Sequence, residues 1–297
     1  MAENNLFELL ETGEITIDQA LNPGRRLHEV DLDRLPIKVM PSGFPTLDRE
    51  YMLLKEMEGE LIIIGGRPSM GKSALMFQLA LNVANYAPVH VFSLEMSQES
   101  IVRRLIATQI GVPITAIQMG LIDRRRLQSA KDALEKYNYF IDDSSGLNAN
   151  DIVDRAITKA KEFGTKLIVI DYLQLMKTEK GHSKDTEIGE ITKALKYLAK
   201  TLKCPVLVGS QLNRQCEIRG MTSGNFKPIL SDLRESGNIE QDADIILAVH
   251  RDYRYTKMRA DEADILVLKN RNGAVGDTIM KFYGAQARFE DTGNNEV

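Results

Sequence analysis

Cysteine and histidine are scarce in this chain of 297 residues: two of the first, Cys204 and Cys216, and four of the second. The cysteines form no C-x-x-C pair, and no ligand spacing for structural zinc emerges. Both are read as reduced thiols of a cytosolic protein. Long apolar runs are missing too. Nothing approaches the roughly 20 residues needed to cross a bilayer. The start, MAENNLFELLETGE, has neither the basic n-region nor the apolar h-region of a secretory signal. No membrane partner is expected, and the cytoplasm is the expected location. An excess of basic charge is also lacking, since the net charge is −4. That gives no sign of a generic nucleic-acid binder, yet a local basic groove can sit on an acidic body. Repeats and low-complexity tracts are absent. What is present is enough apolar residue for a real core, 43% hydrophobic against 27% charged, in one large domain or two small ones.

Residues 1–40 differ from the rest. LFELLET before Gly13 predicts a short helix with a glycine stop, and Thr16-x-x-Gln19 is a capping-box pattern around Ile17, Ala20 and Leu21. Neither piece is long enough to be stable alone. They are read as an N-terminal helical extension or linker that docks on its own domain or grips a neighbouring subunit. From Pro41 onward, strand and helix patterns alternate. Apolar runs fall at 61–64, 89–94, 167–170, 206–208 and 245–249. Between them, Ile188, Ile191, Leu195, Leu198 and Leu202 mark one helix face, and Ile152, Ala156, Ile157, Ala160 and Phe163 another. The fold class is therefore α/β, with a mostly parallel central sheet flanked by helices. Short strands at 265–268, 278–282 and 287–290 predict antiparallel strands at its C-terminal edge.

LIIIGGRPSMGKSALMFQLAL carries the strongest signal. Gly66-x-x-x-x-Gly71-Lys72-Ser73 is a P-loop pattern placed after an apolar strand and before a helical run. The loop Gly66, Arg67, Pro68, Ser69, Met70, Gly71 would wrap phosphate oxygens with main-chain N–H groups, helped by the positive end of the following helix. Lys72 would place a charge on the outer phosphates, and Ser73 would offer a hydroxyl to Mg²⁺. LIVIDYLQL ends a strand in Asp171, a carboxylate able to hold Mg²⁺ beside the loop. VFSLEMS brings Glu95 to a strand end as a general base for water, although Ser97 also makes a fair helix N-cap there. VLVGSQLNRQ ends a strand in Gln211, able to sense a γ-phosphate. LVLKNRNGAVGD, residues 266–277, places Lys269 and Arg271 at a strand tip before an Asn-Gly turn.

With these motifs in view, the chain resembles the ATPase domain of DnaB-type hexameric replicative helicases. GRPSMGKS, FSLEMS, VIDYLQLM, SQLNR, SDLRESGNIEQDADIIL and KNRNG occur in that family's order, from about Ser42 to Glu290. The resemblance implies a RecA-like P-loop ATPase over residues 41–297. It implies a homo-hexameric ring that hydrolyses ATP with Mg²⁺ between neighbours and moves 5′ to 3′ along single-stranded DNA. By resemblance, Glu95 activates water, Gln211 is the sensor, and Lys269 and Arg271 enter the adjacent subunit's site. Arg234, Glu235 and Gly237 match a loop facing DNA in the central channel. A helicase loader or a primase is an implied partner. Two features depart from the pattern. Only residues 1–40 precede the match, so the family's separate N-terminal collar domain, which supports primase recruitment, is expected to be absent. Ser73 replaces the more usual threonine and keeps the hydroxyl.

The residues also bear on DNA directly. The polar stretch from Leu212 to Pro228, with Arg214, Arg219, Lys227 and the glycines Gly220 and Gly224, is read as a long loop. It is either a phosphate-backbone contact or a surface loop. Arg124–Arg126 is read as a solvated helix face. The alternatives to a helicase are a RecA- or RadA-like recombination or repair ATPase and a non-unwinding replisome adaptor. SDLRESG and SLEMS favour the helicase over the first. The intact set Lys72, Glu95 and Arg271 argues against the second.

Overall fold

Five of the apolar runs become parallel strands because helices cover both faces of the sheet they form. The computed structural model describes residues 36–177, 184–233 and 237–293. The chain divides into two units, Met1–Lys38 and Val39–Val297. The helices expected within residues 6–21 lie outside the described residues. In chain order the elements of the second unit are α1 (Pro45–Tyr51), β1 (Leu61–Gly66), α2 (Lys72–Ala84), β2 (Val89–Ser93), α3 (Gln98–Ile110), α4 (Ile114–Gln118), α5 (Arg124–Glu135), β3 (Tyr139–Asp142), α6 (Ala149–Phe163) and β4 (Leu167–Asp171). They continue with a 3-10 turn (Leu173–Leu175), α7 (Lys184–Leu202), β5 (Val206–Gln211), α8 (Gln215–Ser223), α9 (Gly237–Asp242), β6 (Ile245–His250), α10 (Tyr253–Thr256), β7 (Glu262–Asn270), β8 (Gly276–Tyr283) and β9 (Arg288–Asp291).

The strands lie in the order β3-β2-β4-β5-β1-β6-β7-β8-β9. From β3 to β6 the neighbours are parallel, and β7, β8 and β9 add antiparallel pairs. In β1, Ile62 and Ile64 face one core, shared with α2, while Leu61 and Ile63 face the other, shared with α7. A strand buried on both faces must read as a continuous apolar run rather than an alternating one. Each such side chain contributes roughly 1.5–3 kcal/mol by leaving water. On α7, Ile188, Ile191, Leu195 and Leu198 are buried, as their spacing predicts.

Two elements differ from the sequence reading. β3 was not foreseen; it is a short edge strand that, among the described residues, pairs only with β2, and all four of its residues are half-buried. The stretch from Leu212 to Pro228 is not one long loop, because α8 occupies its middle. That helix docks through Cys216 and Gly220, and a Cβ on Gly220 would stand 2.1 Å from the Phe226 ring. Two of its expected phosphate contacts are already engaged. Arg219 forks onto both oxygens of buried Asp232, at 3.0 and 2.8 Å. Lys227 binds Asp277 at 2.7 Å. Arg124–Arg126 are exposed at the start of α5, whose N-cap is Asp123.

Candidate active site

The parallel register puts the C-terminal ends of β1, β2, β4 and β5 on one rim of the sheet. β1 delivers the P-loop there. Ser69 and Gly71 take positive φ, 67° and 103°. At Gly71 a Cβ would also come within 3.0 Å of Phe289 and 3.3 Å of Phe282, so a glycine is required there on two counts. α2 then starts at Lys72 and aims the positive end of a 13-residue helix at the loop. The cleft in front has a volume of about 600 Å³ and is lined by Gly66, Arg67, Pro68, Ser69, Gly71, Lys72, Ser73, Glu95 and Gln211, with Ala74, Met96, Arg104 and Tyr172. Size alone does not single it out. A cleft of about 480 Å³ behind α2 contains Arg288 but no acidic side chain.

Lys72 reaches across the rim to Asp171 at the end of β4, with Nζ to Oδ1 2.6 Å. Asp171 is fully buried, and its Oδ2 finds no hydrogen-bond donor among the described residues. A buried carboxylate oxygen in that condition is costly unless something comes to meet it. That oxygen and the Ser73 hydroxyl are both hard donors, of the kind that would suit a divalent cation such as Mg²⁺. The Lys72 ammonium also lies 4.4 Å from the centre of the Tyr172 ring. Burial, with Glu95 and Asp171 nearby, raises the Tyr172 phenol above its ordinary pKa.

Glu95 does not end β2. It sits two residues past Ser93, on a bend that Ser93 holds by accepting from the Met96 N–H at 3.1 Å and donating to the Met96 carbonyl at 2.7 Å. Ser97 then caps α3 by accepting from the Ser100 N–H. The bend leaves Glu95 exposed at the cleft. Gln211 ends β5, and its main chain is clamped by Gln174. That side chain accepts from the Gln211 N–H at 3.1 Å and donates to the Gln211 carbonyl at 3.3 Å and to Ser210 Oγ at 3.0 Å. β4 and β5 pair only as far as Ile170 and Val208, so the amide of Gln174 bridges the two strands where their ladder stops.

Arg67 turns away from the cleft floor toward α8. It donates to Glu217 at 2.9 Å and to the Leu212 carbonyl at 2.8 Å. The Arg67 hydrogen bond and charge hold the Glu217 carboxyl below its ordinary pKa. The Met70 side chain is buried in the core, so its contribution to the loop is through the main chain. Sequence reading missed Gln174, Tyr172 and Arg104. Arg104 reaches the cleft from the middle of α3, a helix whose pattern gives no hint of it.

Lys269 and Arg271 are not brought to this cleft. In the antiparallel register Lys269 lies opposite Ile246, at the base of β6, whereas the P-loop follows Gly66, opposite Val249. That separates them by about 10 Å along the strands and about 10 Å across two strand spacings. The Lys269 ammonium donates to the carbonyls of Glu240 and Ala243, 2.6 Å each. Burial and the neighbouring Arg271 charge lower its pKa from the usual lysine range. Arg234 and Glu235 lie outside the described residues. Gly237 is exposed at the first position of α9.

Comparisons with known proteins point to one family. The profile of the DnaB-like helicase C-terminal domain fits residues 39–291. The chain is 42% identical over 261 residues to the replicative DNA helicase DnaB of Haemophilus influenzae, covering 84% of this chain and 54% of that one. It is 36% identical to the replicative DNA helicase DnaC of Bacillus subtilis, covering 86% and 58%. The chain thus spans about half the length of the curated relatives it matches. A solved ATPase domain superposes with a TM-score of 0.80 at 32% identity, covering 93% of this chain and 98% of that one. A DnaB-like replicative helicase solved for its interactions with primase gives 0.80 at 30% identity, covering 97% and 71%. The fold is thus the RecA-like α/β fold of these ATPase domains, and the chain belongs to the family of DnaB-like helicase C-terminal domains.

Proposed function

We propose that this chain is the motor of a DnaB-type replicative helicase, a homo-hexameric ring that hydrolyses ATP between subunits and moves 5′ to 3′ along single-stranded DNA. The observation that supports it best is the convergence of the P-loop, the Lys72–Asp171 pair, Glu95 and Gln211 on one rim, with Lys269 and Arg271 held at the other end of the sheet. In this reading the loop amides and the start of α2 bind the phosphates. Lys72 exchanges Asp171 for the outer phosphate oxygens. Ser73 and Asp171 hold Mg²⁺, which supplies neutralisation of phosphate charge when bound. Glu95 takes the proton of the attacking water, and Gln211, fixed by Gln174, contacts the phosphate that leaves. Lys269 and Arg271 serve the nucleotide of the next subunit, where a cation in trans is worth about 10³ to 10⁵ in rate in comparable systems.

DNA contact is assigned to the Arg234, Glu235 and Gly237 segment and not to Arg219 or Lys227, whose charges are already paired. One solved relative is described with primase; a loader or a primase is a proposed partner here as well. ATP turnover with and without single-stranded DNA, and displacement of a strand from a duplex with a 5′ tail, test the proposal. Stimulated turnover with displacement is expected. Strand exchange without displacement would favour the recombination ATPase, and turnover indifferent to DNA would favour the adaptor.

A further inference from the structure

Asp244 lies between α9 and β6, and its side chain is 4% exposed. Its two carboxylate oxygens divide their partners. Oδ2 accepts from the Leu61 N–H, at the first residue of β1, at 2.8 Å, and from Lys196 Nζ on α7 at 2.5 Å. Oδ1 faces Nη1 of Arg271 at 3.3 Å. The main chain repeats the connection, since the Arg271 N–H donates to the Asp244 carbonyl at 2.8 Å. The other terminal nitrogen of the guanidinium donates to the Gln241 carbonyl at 3.2 Å. Arg271 is nonetheless 50% exposed. Each terminal nitrogen of its guanidinium thus faces one oxygen of its own chain, while half of the side chain stays open to solvent.

This division has a chemical reading. One oxygen is enough to satisfy Leu61 and Lys196, and it does so without the second. The second is given to an arginine that the fold itself does not need buried. A free arginine side chain samples many rotamers, of which few present the fork to a site on another molecule. We propose that Asp244 is a positioning residue, fixing the guanidinium of Arg271 in the orientation it offers to the neighbouring subunit's nucleotide. This rests on the reading that Arg271 acts in trans. In this role Asp244 acts through the arginine.

The test is ATP turnover by the whole chain in the presence of single-stranded DNA. Asp244→Asn is expected to lower kcat about tenfold with little change in KM for ATP, because the P-loop of the same chain is untouched. In an Arg271→Ala background it should cost nothing more, since the residue it positions is gone. The deciding arm is mixing with excess Lys72→Ala chains, which cannot bind their own nucleotide but offer an intact Arg271. Turnover per Asp244→Asn chain should rise on mixing, because its cleft is then served by a neighbour with Asp244 in place. No rise, while Arg271→Ala chains do rise in the same mixture, would overturn the role of Asp244 and leave the trans reading standing. No rise for either variant in mixtures that demonstrably co-assemble would overturn the trans reading itself. Should Asp244→Asn fail to fold, Asp244→Glu carries the same mixing test, keeping the charge while shifting the carboxylate by one methylene.

Discussion

Gly209 has no side chain at the point where Lys72 and Asp171 meet. A Cβ there would stand 2.6 Å from Lys72 Nζ and 3.0 Å from Asp171 Oδ1. The lysine end is flexible and can yield, so Gly209→Ala should fold. The displaced ammonium should raise KM for ATP several-fold, on the order of 1 kcal/mol of lost phosphate binding, as titration with a fluorescent nucleotide would show. Glu95→Gln belongs to the same scale. It should bind nucleotide normally and turn over about 10² times more slowly if the carboxylate is the base. Near-normal turnover would place the base elsewhere. The positions of Lys72, Ser73, Asp171 and Glu95 on one rim could be read from the sequence because each sits in a contiguous motif beside a strand end. Those of Gly209 and Gln174 could not, since their roles depend on a neighbouring strand. A glycine near the end of an apolar run says nothing about which lysine needs the space.

At the scale of the element, α8 shows how composition misleads. Its segment is polar and holds three glycine or serine breakers near its end, so it reads as a loop. The helix can form because Gly220 lets it lie against Phe226, itself stacked on Tyr255 at 4.4 Å between ring centroids, while Cys216 is buried. Arg219 then ties it to Asp232, thirteen residues on, a pairing that no helical spacing announces. Arg219→Ala leaves a buried carboxylate with, among the described residues, only the Ile229 N–H at 2.8 Å. It should destabilise the fold by about 2 kcal/mol or more, read as a shift in urea midpoint. The salt dependence of DNA binding should not change, in contrast to a true phosphate contact. By comparison, α6 was foreseen from its periodicity, and its start is secured by the reciprocal capping of Asn148 and Asp151. Asn148→Ala should cost about 1 kcal/mol, measured by thermal melting. β3 escaped notice for the opposite reason to α8: four half-buried residues at an edge are too few to establish a period.

For the whole molecule, acid should be the weak side. His90 is buried in β2 beside Phe92, and burial lowers its pKa to about 4. Burial moves His250 in the same direction. An unfolded histidine takes up a proton below about pH 6.5, while folded His90 stays neutral until about pH 4. The unfolded state therefore binds more protons as pH falls. Stability that is full above pH 6.5 should decline from there to pH 4, by about 3 kcal/mol at most from this group. Urea midpoints for His90→Gln should fall less steeply across that window than those of the parent chain. Assembly gives the second test at this scale. Arg271→Ala and Glu95→Gln chains, each nearly inactive alone, should regain some turnover when mixed, because some interfaces then join an intact Glu95 to a neighbour's intact Arg271.

Under that reading, the placement of the P-loop at one end of the sheet and of Arg271 at the other gives each subunit a polarity. The base of one subunit serves the top of the next, so the contact is heterologous and every subunit is both a donor and an acceptor. An open row of n subunits leaves one cleft without its donor and holds n − 1 complete sites, and only a closed assembly holds n. Turnover per subunit therefore becomes a gauge of closure, rising as (n − 1)/n while a row grows and stepping up when its two ends meet.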